Sequence, residues 1–277
     1  MRTKPLPEPI PKALHPLPKS TSPILRTGSS AVVYHIPTTS TTDTSDDNNN
    51  LKTTILLPRY STWSSGLHFH ATHTEYIRLV RGAIYVRLGS RTMVLTCEEG
   101  EEEKVVTVPK YVRHDWGRAE WYLRQRRGVG GRRHDASPEV LGEDVVVEEW
   151  TDPRDLMKPL FFWNLNGVIL NDGGGESAGL AVRMVRWMLG NWWVPFQLFV
   201  IFRELDNFPI FFEVLHLGEE DGVIPECVEH AIEYMVTYSV LFVAHVLAGH
   251  IGIRAVSEDR TPKDLWAEWR NREIAGP

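Results

Sequence analysis

GLHFHATHTEYIRLVRG, residues Gly66 to Gly82, crowds three histidines and one glutamate into sequence that otherwise reads as strand. In an extended strand residues i and i+2 share a face, so His68 and His70 present two imidazoles side by side while Leu67 and Phe69 turn the other way. Glu75 follows a four-residue turn, Ala71 to Thr74, at the start of the next strand, where a carboxylate can return beside the pair. Gly82 permits a turn into the following strand, AIYVRLG. Another imidazole, His114, stands five residues after Pro109 in VPKYVRHDWGR. Three neutral nitrogens and one carboxylate suit a divalent transition ion (Fe, Mn, Ni, Cu or Zn), and an octahedral ion so held keeps two positions open for water, substrate or dioxygen. His73 sits in the turn with no evident partner and reads as a surface or pocket-rim residue.

Around this stretch, from Ala31 to Trp150, runs a series of short segments rich in β-branched and aromatic residues: AVVYHIP, TTILLPRY, EYIRLVRG, AIYVRLG, RTMVLT, KVVTVP and DVVVEEW. Their length and regular spacing predict an antiparallel sandwich or barrel. Two polar insertions interrupt them, Thr38 to Asn50 and the arginine-rich run from Arg124 to Glu139, and both read as solvated loops.

The Gly66 to Gly82 and Pro109 to His114 stretches resemble the paired motifs of the cupin superfamily. The first of those motifs runs H-x-H, three or four residues, E, six residues, G; the second runs P-x-G-x-x-H. His68-Phe69-His70, four residues, Glu75, six residues and Gly82 match the first, and Pro109 to His114 keeps the spacing of the second. The resemblance implies a jelly-roll β-barrel (double-stranded β-helix), a metal in the barrel mouth held by His68, His70, Glu75 and His114, and a homodimer. It departs from the pattern at Thr62, where an early glycine is expected, at Tyr111 in place of the second motif's glycine, and at Arg118 where asparagine is common. These are turn and rim positions, and they bear on loop geometry and the pocket entrance.

Such a site supports dioxygenation, isomerisation, decarboxylation or plain binding, so ligand type alone does not name a reaction. The expectation is a metal-dependent enzyme working by Lewis-acid and enolate chemistry on a small oxygenated organic molecule, which the resemblance places in secondary metabolism. Glu75 would double as a base, with His73 or Asp115 as further proton-transfer candidates. Tyr76, Tyr111, Trp116 and Trp121 supply aromatic surface near the motifs, and Arg78, Arg87 and Arg113 could steer a carboxylate. Tyr76, Arg78, Tyr111 and Trp116 are the candidate substrate contacts. The alternatives are a non-catalytic ligand-binding barrel and a membrane-attached assembly factor.

Residues 1–30 read as an extended Pro-rich arm, 31–158 as the barrel, and 159–277 as a helical region with two apolar segments at about 184–202 and 231–253. Thr151-Asp152-Pro153 reads as the start of its first helix. The second apolar segment is long enough to cross a bilayer, and arginines flank the pair while acidic residues fill the stretch between them. A transmembrane hairpin with both ends cytoplasmic and a soluble helical layer on the barrel are the two readings of this half. A net charge of −6 argues against nucleic acid as a partner. Two cysteines form no disulfide framework, so the expected location is intracellular, in soluble cytoplasm or on the cytoplasmic face of an internal membrane.

Overall fold

The computed structural model describes residues 7–40, 51–98, 100–126, 142–171, 180–213 and 226–275. Most of the polar insertion, of the arginine-rich run, of the Gly-rich linker and of the acidic stretch between the apolar segments lies outside the described residues, as does the Trp121 side chain.

Among the described residues ten strands pair antiparallel throughout: β1 (Thr21–Arg26), β2 (Val32–Pro37), β3 (Thr53–Leu57), β4 (His68–Phe69), β5 (Thr74–Leu88), β6 (Arg91–Cys97), β7 (Lys104–Val108), β8 (His114–Arg118), β9 (Val145–Asp152) and β10 (Phe208–Pro209). The ladder runs β1-β2-β3-β9-β5-β8-β4-β10, with β6 and β7 also on β5. This is the expected mainly β, jelly-roll arrangement. Among the described residues its path does not return to β1, so the barrel they form is open.

EYIRLVRG and AIYVRLG form one continuous strand and not two strands joined by a turn. The first half of β5 pairs with β7 and β9, and the second half with β6 and β8. Gly82 is the hinge between the halves. It adopts φ +91°, and a Cβ there would lie 3.0 Å from the Asp144 carbonyl and from Val145 Cγ2, so both its backbone and its surroundings call for glycine. A register shift between Leu79 and Arg81 falls beside the bend.

Other expectations are corrected at the edges. Thr21–Arg26 of the presumed arm form strand β1. Thr151 and Asp152 end strand β9 instead of starting a helix; helix α2 (Met157–Leu170) begins later, where Asp155 Oδ1 accepts the Met157 N–H at 2.8 Å. The expected domain boundary after residue 158 therefore falls inside a helix. One apolar core joins strand residues such as Ile77, Val86 and Val147 to helical residues such as Leu160, Val200, Ala248 and Leu265.

After the barrel's short helix α1 (Ala119–Arg126) and α2 come α3 (Leu180–Leu189), α4 (Trp193–Glu204), α5 (Glu226–Ile251) and α6 (Lys263–Ala275). The first apolar segment is broken by a tight turn at Gly190–Trp192, with Gly190 at φ +51°. At 1.5 Å per residue, α4 is about 18 Å long. Among the described residues one helix, Val228–Ile251, is long and apolar enough to cross a membrane. It lies against the rest of the protein: Ala244 and Ala248 are buried, and Arg113 of the barrel pairs with its Glu233 at 2.7 Å, both side chains fully enclosed.

Enclosed ion pairs cost more to break than to delete, because a lone charge stays desolvated. Arg113→Met should lower the unfolding free energy by about 3–5 kcal/mol, and Arg113→Met with Glu233→Leu should recover most of that; denaturant unfolding of the three proteins checks the cycle.

Candidate metal centre

The four expected ligands converge. One ligand atom from each of His68, His70, Glu75 and His114 lies within 4.8 Å of the others, and all four residues are buried. Strand pairing explains why: β4 and β8 pair with His68 directly opposite His114, and β5 brings in Glu75 from its first residues. Glu75 Oε2 stands 2.6 Å from His114 Nε2 and 3.5 Å from His70 Nε2. The His68 and His114 rings are 4.1 Å apart between centroids.

Each imidazole is oriented from behind by a backbone carbonyl. His68 Nδ1 donates to Gly66 O at 2.7 Å, His114 Nδ1 to Val112 O at 3.1 Å, and His70 Nδ1 to Asp206 O. A carbonyl oxygen only accepts, so Nδ1 carries a hydrogen in all three rings and each Nε2 is turned inward, where it ligates a metal once it is unprotonated. Burial, and then the neighbouring His114 and His70 rings, hold the His68 pKa well below the ordinary imidazole range; burial also lowers that of His70. Burial works against ionisation of Glu75, yet Lys158, His70 and His114 together keep its carboxyl well below the usual carboxylate range. Neutral nitrogens and an ionised carboxylate are the protonation states that bind a metal.

Two further features fit a cation. His70 Nε2 is buried without a hydrogen-bond partner, an arrangement that costs free energy unless something binds there. His114 Nε2 and Glu75 Oε2 face each other at 2.6 Å, close enough for one ion to take both as ligands. The residues present therefore fit a divalent transition ion, with Glu75 supplying one oxygen; no feature of the donor set selects among Fe, Mn, Ni, Cu and Zn.

Three residues not singled out in the sequence complete the site. Lys158, the second residue of α2, reaches Glu75 Oε1 and lies 3.1 Å from Glu149 Oε2. Glu149 on β9 also accepts the Trp116 indole N–H at 2.6 Å, and burial raises its pKa. Asp206, at φ +53° just before β10, accepts the backbone N–H groups of Ala71, Thr72 and His73 with its carboxylate while its carbonyl receives His70. Strand parity could have found Glu149, since Val145 and Val147 on the same face are buried. Lys158 and Asp206 arrive from distant sequence and carry no local signal.

The other expected site residues scatter. Tyr76 and Arg78 alternate with the inward Glu75 and Ile77 and so point outward: Tyr76 stacks on Trp150 at 5.4 Å, and Arg78 pairs with Glu103 and Glu148. Asp115 sits on the strand face opposite His114, where its carboxylate accepts from Ser65 and Tyr85. Trp116 shares the inward face with His114 but is fully buried against Trp63 and Glu149. Tyr111 is 52% exposed and occupies φ +61°, the conformation that the motif's glycine would take without strain. Its carbonyl accepts the Tyr234 hydroxyl at 2.6 Å, which ties the turn to α5. Arg87 and Arg113 are engaged with Glu213 and Glu233. His73 is buried, not on the surface or the rim, with Nδ1 2.7 Å from Asp206 and Nε2 3.0 Å from Asp155. Burial opposes its protonation, but the two carboxylates carry its pKa up to about 9, making it a positive link between the turn and the chain that follows β9.

A cavity of about 470 Å³ opens beside the ligands, between the barrel and the helices. His68, Glu149 and Lys158 stand at its polar end; Trp63, Phe161, Phe162 and Leu198 are among its apolar walls, and Arg26 and Tyr34 also line it.

No protein-family model and no curated protein matches the chain. Similar solved structures include a cupin-2 domain protein from Shewanella frigidimarina (13% identity, 38% of this chain and 70% of that one, TM-score 0.23). A predicted oxalate decarboxylase from Thermotoga maritima aligns at 13% identity over 47% of this chain and 90% of that one, TM-score 0.29. The capsular polysaccharide assembling protein CapF from Staphylococcus aureus aligns at 14% identity over 47% of this chain but only 30% of its own length, TM-score 0.28. The four side chains that the strand order brings together are those that keep the spacing of the cupin motifs.

Protein purified without chelator should carry close to one equivalent of a divalent transition metal by elemental analysis, and His68→Ala with His114→Ala should lose it while staying folded. Removing the ammonium on Glu75 Oε1 makes the pocket more negative. Lys158→Met should therefore raise metal affinity by about tenfold, equivalent to about 1.4 kcal/mol, as read by competition with a chelator.

Proposed function

We propose that the protein is a metal-dependent enzyme of cupin type that converts a small, largely apolar oxygenated organic molecule, of the kind found in secondary metabolism. The observation that carries this reading is the cavity. It reaches a metal-ligand histidine and an ionisable pair outside the ligand set, Glu149 and Lys158, within one apolar enclosure.

When bound, the metal would act as a Lewis acid on a substrate oxygen and favour enolate-type chemistry. The chain supplies the rest. Phe161, Phe162 and Trp63 enclose the hydrocarbon part of the substrate and exclude water. The Tyr34 hydroxyl accepts the Trp63 indole N–H at 3.0 Å, and burial pushes its pKa up to about 12, so it stays protonated with its own hydrogen free to donate. Glu149 is the group best placed to hold and return a proton at a substrate carbon. Its carboxylate borders the cavity, and burial raises its pKa above the ordinary range, the direction that favours a carboxyl able to hold a proton. Dioxygenation, isomerisation and decarboxylation remain the candidate outcomes, and screening with and without oxygen separates the first from the others.

A non-catalytic binding barrel is the second reading, favoured by the ion pair that Lys158 already makes with both carboxylates. With a substrate in hand, Glu149→Gln should cut kcat by about 10²–10⁴-fold with KM and metal content little changed. Wild-type turnover in that variant would remove Glu149 from the mechanism. Tight ligand binding with no conversion by the wild type would establish the binding barrel.

A further inference from the structure

Helix α5 is polarised inside out. Its acidic and hydroxyl side chains Glu229, Glu233 and Thr237 are buried against the protein, as are Leu241, Ala244 and Ala248 further along. Its outer side, from Val228 to His250, carries no Asp, Glu, Lys or Arg; Met235, Phe242, Val243, Val246 and Leu247 stand exposed there. A surface helix of a water-soluble protein does the reverse, with its apolar stripe inward and its charges outward. Polar groups inward and apolar groups outward is the arrangement of a helix whose solvent is lipid.

A second element repeats the pattern independently. On α3, Met184, Trp187 and Met188 are spaced by three and four residues and form one outward stripe, with Trp187 85% and Met188 73% exposed, and Trp192 continues it beyond the helix. Val182, Val185 and Leu189 face inward, half-buried. Arg183 and Arg186 on the same helix are exposed. An apolar stripe containing tryptophan with basic residues beside it matches the interface of an anionic bilayer, where the rings enter the acyl boundary and the guanidinium groups reach lipid phosphates. α4 packs against both α3 and α5, so the two surfaces belong to one helical layer.

We infer that the protein binds the surface of an anionic lipid bilayer through the outward stripe of α3 and the outer side of α5, lying on the membrane without spanning it. The mode follows from how α5 is held. Its Glu233 is paired with Arg113 of the barrel, its Tyr234 with the Tyr111 carbonyl and its Thr237 with the Pro209 carbonyl, so it cannot leave the barrel to cross a bilayer alone. Exposed apolar area drives the attachment and the two arginines select lipid charge.

Flotation of the full chain with phosphatidylcholine vesicles, with or without about one third phosphatidylserine, tests this. The wild type should float with the anionic vesicles, and about tenfold less with neutral ones. Trp187→Glu with Met188→Glu, and separately Val243→Glu with Leu247→Glu, should each reduce recovery with anionic vesicles by at least about tenfold. Metal content equal to wild type certifies that both variants are folded. A wild type that stays in the soluble fraction with either lipid overturns the inference. So does a stable dimer by light scattering that the α5 variant dissociates while vesicle binding is absent, since the outer side would then be a protein interface.

Discussion

Everything at the metal centre depends on Asp206. Its carboxylate gathers the N–H groups of the turn after His70 and holds the ring of His73, while its backbone carbonyl fixes the tautomer of His70. The two residues after Asn207 then pair with β4, placing Pro209 opposite His68. A two-residue strand such as β4 has almost no ladder of its own, and its geometry comes from what flanks it: β8 on one side and this segment on the other. The histidine pair therefore takes its shape from chain more than 130 residues away.

The charges of the site balance only as a group. Glu75 and Glu149 are enclosed carboxylates that would repel each other, and Lys158 stands between them. Three buried ionisable groups of this kind are tolerable because each is paired and hydrogen-bonded, and the desolvation of any one alone would be severe. The same arrangement leaves Glu75 with a single free oxygen, which limits what it offers an ion and leaves Glu149 as the carboxylate beside the substrate space.

The ligand set was readable because a strand's two-residue period and a fixed turn length convert spacing directly into position. That places His68, His70 and Glu75; His114, 39 residues beyond Glu75, joins them through the spacing of the second cupin motif that the sequence resembles. The same period places Tyr76 and Arg78 outside and Asp115 away from His114, and proximity in sequence misled where parity would have corrected it. Gly82 was read as a turn because glycine marks both turns and bends; whether the strand continues depends on partners for both halves of β5, which local sequence does not show. His73 was misplaced because its two carboxylates come from Asp155 and Asp206. The helical half was legible as helix and as apolar. Its division at Gly190 carries a local signal, since Gly190, Asn191 and Pro195 fall close together there.

One consequence follows from where α2 begins. The helix delivers Lys158 to Glu75 within its first turn and places Phe161 and Phe162 on the cavity wall immediately afterwards. A cupin-like barrel is easily pictured as a transferable module, cut after its last strand and fused elsewhere. Here the cut would fall between two carboxylates and the cation that reconciles them, and it would also remove the segment that shapes the histidines. The smallest heritable unit of this chemistry is the barrel together with its helices, and recombination that preserved the strands alone would pass on the motif without the site.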